Sequence, residues 1–141
     1  MTEDQKNESF KYRAFIAKHG GGAISKYADK QTIYAQGDTA DALFYIVSGA
    51  VRVTIFSEYG KEAVIGILGP GDFFGEGCLD GHLLRNSTIA TTAASEIVRL
   101  DRLIVTAALK NDAAFAQSFM HFMLDRNQKL QADLIDQLFK G

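Results

Sequence analysis

The residues of this chain best suited to hold a small charged molecule lie close together, in Gly71-Asp72-Phe73-Phe74-Gly75-Glu76-Gly77-Cys78-Leu79 and then Arg85-Asn86-Ser87-Thr88-Ile89. Arginine carries a permanent charge on a planar fork that meets a phosphate through paired hydrogen bonds. A glutamate repels a phosphate but accepts hydrogen bonds from hydroxyl groups. A molecule with a phosphate on one side and a sugar hydroxyl on the other would satisfy Arg85 and Glu76 together. A short helical turn after Gly75 would add free backbone N–H groups, which favour an anion. Asn86, Ser87 and Thr88 place small polar groups near the same point. Glu76 and Arg85 also fit a second reading, a structural ion pair that bridges two turns. No nucleophile–base pair stands out, so no catalytic residue is assigned and an enzyme is not expected.

The elements that must position these residues are mostly strands. From residue 25 to about 101 the pattern is β, with runs at Ile33–Ala35, Leu43–Val47, Val51–Phe56, Ala63–Leu68 and Ser87–Ala93. Gly37-Asp38, Ser48-Gly49, Tyr59-Gly60 and Gly69-Pro70-Gly71-Asp72 are the turns between them. In Val51-Arg52-Val53-Thr54-Ile55 the alternation predicts Val51, Val53 and Ile55 on one face, with Arg52 and Thr54 on a wet one. Many short strands at this spacing suggest a small sandwich or roll rather than βαβ units. Ahead of them, a short amphipathic segment carries Phe10, Tyr12, Phe15 and Ile16 and ends at Gly20-Gly21-Gly22, predicted to form a flexible turn.

After Lys110 the pattern turns helical. Asn111 or Asp112 can cap a helix, and no glycine or proline follows until Gly141. Phe115, Phe119, Phe122, Met123, Leu130, Leu134 and Leu138 recur at helical spacing, along a rod about 40 Å long. Met120, Leu124, Ile135 and Phe139 form a second apolar edge. A helix apolar on two faces has two partners, and the second is expected to be another copy of the chain.

Composition narrows the functions. The 141 residues carry 15 Lys+Arg against 17 Asp+Glu, a formal net charge of −2, so no general attraction to nucleic acid is expected within this chain. One cysteine and three scattered histidines, His19, His82 and His121, leave no metal site of familiar spacing. The polar, acidic start at Met1–Ser9 does not read as a signal peptide. No uncharged run approaches the ~20 residues of a membrane span. A soluble cytoplasmic protein is the expectation.

From residue 31 to about 139 the chain resembles the cyclic-nucleotide-binding domain, and especially the sensor half of Crp/Fnr-type transcription regulators. Two stretches carry the resemblance. Gln36-Gly37-Asp38-Thr39-Ala40-Asp41-Ala42-Leu43-Phe44-Tyr45-Ile46-Val47-Ser48-Gly49-Ala50-Val51 is similar to the family's Gly-Asp turn, apolar strand and glycine before a second strand. Phe74-Gly75-Glu76 with Leu79 and Arg85 is similar to its phosphate-binding cassette. The resemblance implies a mainly β fold with flanking helices, a jelly-roll β-roll over 1–110 followed by a central dimerisation helix over 111–141.

It also implies a ligand, a cyclic nucleotide such as cyclic AMP or cyclic GMP, acting as effector. Glu76 would bind the ribose 2′-hydroxyl and Arg85 the cyclic phosphate. Gly75, Gly77 and Cys78 would contribute around the cassette, with Asn86 and Ser87 beside them. Lys129 and Leu130 are the candidates for contact with the base. Asn86 and Cys78 stand where the family has smaller residues, and Arg126-Asn127-Gln128-Lys129-Leu130-Gln131 lacks the hydroxyl side chains that cyclic-AMP-binding members place on adenine. The winged helix-turn-helix of such regulators is expected in a parent protein, and DNA contact through it alone. The helix over 112–139 would form a homodimer that relays the effector's signal. Two further expectations share the fold: a dimerisation or interaction module with a different effector or none, and the regulatory domain of a channel or kinase.

Overall fold

The computed structural model describes residues 10–139, with side chains through residue 126. The chain divides into two compact units, one ending at Ala107 and the next beginning at Ala108.

The first unit opens with helix α1 (Tyr12–His19) and eight strands, β1 (Gly22–Tyr27), β2 (Thr32–Tyr34), β3 (Ala42–Ser48), β4 (Val51–Phe56), β5 (Glu62–Leu68), β6 (Phe73–Phe74), β7 (Thr88–Thr91) and β8 (Ser95–Asp101). A 3-10 turn, Glu76–Asp80, lies between β6 and β7. The strands form two antiparallel four-stranded sheets, ordered β1-β8-β3-β6 and β2-β7-β4-β5. Their facing residues meet in one apolar cluster: Ala42, Phe44 and Ile46 of β3, Phe74 of β6 and Ile97 of β8 against Val51 of β4 and Ile89 of β7. Phe44 and Phe74 stack nearly parallel at 4.9 Å between ring centroids. The other face of β3 is covered as well: Tyr45 meets Phe10 edge-on at 5.1 Å, and Phe10 packs on Phe15 of α1 and Phe73 of β6. With both faces dry, β3 is buried from Ala42 through Ile46. This is the mainly β roll that the sequence pattern implied.

Four features differ from expectation. Gly20 and Gly21 adopt left-handed backbone, but Gly22 already belongs to β1. A side chain at Gly22 would stand 2.6 Å from Ile16, so the third glycine allows close packing of α1 on the strand rather than a flexible turn. In β4, Thr54 is buried and Ile55 exposed. Pairing with β7 ends at Thr54 opposite Thr88, and the bulged β5 skips Ile65 opposite it, so beyond this point the hairpin runs on without a third strand. Strands β1, β6 and β8 were not delimited in the sequence. A helix α2 (Arg102–Asn111) was also unread, although Asp101 caps it by accepting the Leu103 N–H at 2.9 Å.

The second unit holds helix α3 (Ala113–Phe139). Asp112 caps it, its carboxylate accepting the Phe115 N–H at 3.1 Å, as the sequence allowed. Phe115 and Phe119 are buried while Met120 and Leu124 are exposed. Phe122 and Met123 are half-buried, and the other apolar positions, Leu130, Leu134, Ile135, Leu138 and Phe139, lie outside the described side chains.

One turn limits substitution more than the others. Gly49 is left-handed, and a Cβ there would collide with the Ser95 hydroxyl and lie 2.7 Å from the Ala94 carbonyl. Gly60 is equally left-handed but faces open space. Gly49→Ala is expected to destabilise the fold by about 2–4 kcal/mol, against about 1 kcal/mol for Gly60→Ala. Urea denaturation of both variants measures the difference; equal losses would contradict it.

Candidate functional site

Arg85 is held by its backbone before its side chain does anything. Its N–H donates to the Asp38 carbonyl at 2.7 Å, and its carbonyl accepts the Gly37 N–H at 2.8 Å. Two residues earlier, Leu83 accepts the Ala40 N–H at 2.8 Å. The Gln-Gly-Asp turn is itself closed by the Asp38 carboxylate, which accepts the Ala35 N–H at 2.9 Å. Gln36 pairs its side-chain amide with both backbone groups of Phe56, tying the turn to β4. The first of the two family-like stretches therefore serves as the clamp for the second.

The side chain of Arg85 runs inward and is only 4% exposed. Nη1 donates to the Gly75 carbonyl at 3.0 Å and Nη2 to the Ala42 carbonyl at 2.7 Å. The Asp41 carboxylate lies 3.9 Å from Nη2 and pairs more closely with Arg99 at 3.2 Å. Two rings flank the guanidinium: Tyr34, with its centroid 4.2 Å from Cζ, and Phe44 at 5.7 Å. Nε is buried and has no acceptor. Gly75 is left-handed, and a Cβ on it would stand 2.8 Å from Arg85 Nη1, so this position needs glycine on two counts.

The other expected site residues divide. Glu76 and Gly77 are half-buried in the 3-10 turn that Gly75 starts, and Cys78 is buried in the same turn. Ser87 is buried two residues after Arg85. Asn86 is exposed. Lys129 and Leu130 lie on α3, where side chains fall outside the described residues. Among the described residues no group of three or more His, Cys, Asp or Glu stands close enough to hold a metal.

Sequence reasoning missed Tyr34, Asp41 and the Ala42 carbonyl. Burial raises the Tyr34 phenol to about 12, against the pull of the Arg85 charge. Glu76 and Cys78 push it the same way as burial, and hydrogen bonding from Ser87 opposes. Tyr34 therefore responds electrostatically to Arg85, Glu76 and Cys78 and by hydrogen bonding to Ser87. No short motif marks it; it ends a three-residue strand, and only the fold brings it to Arg85.

The family model of the cyclic nucleotide-binding domain matches residues 24–112. The chain belongs to this family. The cAMP-activated global transcriptional regulator CRP of Salmonella typhimurium is 38% identical over 78 residues, which make up 55% of this chain and 37% of that protein. The chain thus spans well under two thirds of such relatives. Among solved structures, the catabolite activator protein of Thermus thermophilus aligns with a TM-score of 0.70 at 25% identity, over 92% of this chain and 58% of that one. The c-di-GMP-responsive regulator CLP of Xanthomonas campestris aligns with a TM-score of 0.76 at 20% identity, over 86% of this chain and 60% of that one. The cyclic nucleotide-binding domain described above is thus related to those of CRP-family transcription regulators. Among the described residues no helix is long and apolar enough to cross a membrane.

Burial pushes the Cys78 thiol up, and the neighbouring Arg85 and Arg102 charges only partly offset it. A buried thiol held protonated reacts slowly. At pH 8 the native protein is expected to react with a disulfide reagent at least about 100-fold more slowly than the protein in urea. Comparable rates in the two conditions would contradict the buried placement of Cys78.

Proposed function

We propose that this domain is an effector sensor that binds a cyclic nucleotide at Arg85 and Glu76. One observation carries the reading: the Nε–H of a buried, permanently charged guanidinium has no acceptor. Leaving a buried donor unsatisfied costs on the order of 1–3 kcal/mol, more when the group is charged. The two carbonyls and two rings hold the guanidinium without neutralising it, and Asp41 is shared with Arg99. A phosphate oxygen at the Nε edge supplies both the acceptor and the counter-charge.

Glu76 would accept hydrogen bonds from the ribose 2′-hydroxyl. Gly75, Gly77 and Cys78 would line the turn around the phosphate, where a bulkier residue at Gly75 has no room. Ser87 is the hydroxyl best placed to assist, while Asn86, being exposed, is a weaker candidate. Lys129 and Leu130 stay candidates for the base.

Cyclic AMP is the first choice of effector, because the regulators that match over 78 residues are described as cAMP-activated. In a full-length regulator the bound nucleotide would favour one arrangement of paired α3 helices and so reposition a DNA-binding domain, a population shift between two states. The exposed Met120 and Leu124 support such a helix pair. A different effector is the second reading, favoured by the absence of Ser and Thr from Arg126–Gln131 and by a structural neighbour described as responsive to c-di-GMP.

Calorimetry with cyclic AMP, cyclic GMP and c-di-GMP tests these readings. Saturable binding of a cyclic mononucleotide is expected, weakened about 10- to 100-fold by Arg85→Lys, which keeps the charge but loses the fork. Tighter binding of c-di-GMP would select the second reading. No heat and no thermal shift with any of the three would overturn both.

A further inference from the structure

Arg85 is tied in a way that leaves one motion unrestrained by hydrogen bonds. The Gly75 and Ala42 carbonyls hold Nη1 and Nη2 and so fix where the guanidinium lies. Two contacts at one end of a flat group do not by themselves fix the tilt of its plane. The Nε–H edge is the one that the proposed phosphate would use, and its aim depends on that tilt. Tyr34 supplies the missing constraint. Its ring centroid lies 4.2 Å from Arg85 Cζ, within the range of a cation–π contact and closer than the 5.7 Å of Phe44.

Tyr34 is itself fixed. It ends β2, its ring lies 5.8 Å from Phe44 and 6.1 Å from Phe74, and those two rings, on the adjacent strands β3 and β6, stack on each other. The platform under Arg85 is thus continuous with the centre of the roll. The Tyr34 backbone is also held, opposite Ile89 of β7, in the strand that follows the Arg85-Asn86-Ser87 segment. The Arg85 backbone is held by Gly37 and Asp38, just after β2, so both partners are anchored near the end of that strand although they are far apart in the chain.

The geometry points to Tyr34 as a positioning residue for anion recognition: its ring sets the plane of the Arg85 guanidinium so that the Nε edge meets the phosphodiester of the ligand without first being ordered. This rests on the cyclic-nucleotide reading above and deepens it. An arginine ordered in advance saves the entropy that binding would otherwise spend on it. The role belongs to the ring rather than to the hydroxyl, so phenylalanine fulfils it and an aliphatic residue of similar bulk does not.

The experiment compares the wild-type domain, Tyr34→Phe and Tyr34→Leu by cyclic AMP calorimetry and thermal unfolding. Tyr34→Phe is expected to bind within about 2-fold of wild type, and Tyr34→Leu about 5- to 10-fold more weakly. Full-strength binding by Tyr34→Leu, or an equal loss in both variants, would overturn the inference while leaving the cyclic-nucleotide reading intact. Absence of binding by the wild type would overturn both. If Tyr34→Leu does not fold, NMR of the wild type decides. The Arg85 side-chain protons should carry a ring-current shift from Tyr34 that persists when cyclic AMP saturates the domain. Loss of that shift on saturation would show the ring leaving the guanidinium and would refute the platform.

Discussion

A permanent positive charge sits inside this domain, and the arrangement around Arg85 follows from the need to accommodate it. Removing a guanidinium from water is costly unless its donors are met. Here the partners are carbonyls from two separate segments, Gly75 and Ala42, so the charge also cross-links the cassette to β3. Aromatic faces from β2 and β3 complete its surroundings. Nε is the one guanidinium nitrogen without a hydrogen-bond partner among the described residues. A buried cation that keeps one nitrogen without a partner is the feature on which the proposed ligand-binding role rests.

Arg85 donates to two main-chain carbonyls, and the Asp41 carboxylate, 3.9 Å from Nη2, leans toward Arg99. Asp41 has a further structural task, since its carbonyl accepts the Arg102 N–H that starts α2. The cassette, β3 and the first turn of α2 thus converge within a few residues.

How much of this was legible in the sequence depended on distance along the chain. Glu76, Arg85 and the glycines between β6 and β7 could be read because they sit within one short, turn-flanked segment. Asp112 could be read as a cap because capping is local. The Gln-Gly-Asp turn was visible, but its work as the clamp of the Arg85 backbone was not, because that pairing joins residues nearly fifty apart. Tyr34 and the Ala42 carbonyl were hidden for the same reason. Strand β8, central in its sheet, lacks clean alternation because Ile97 and Val98 are both buried, on opposite faces. The exposed Ile55 was misplaced because a bulge and a strand end in neighbouring strands decide its surroundings, not its own segment.

The central question is whether Arg85 Nε receives the ligand. A crystal structure of the domain with cyclic AMP addresses this most directly. The expected result is a phosphate oxygen about 2.7–2.9 Å from Arg85 Nε, with the bonds to the Gly75 and Ala42 carbonyls retained. A nucleotide whose phosphate lies away from Arg85, or an Nε that stays without an acceptor in the complex, would contradict it.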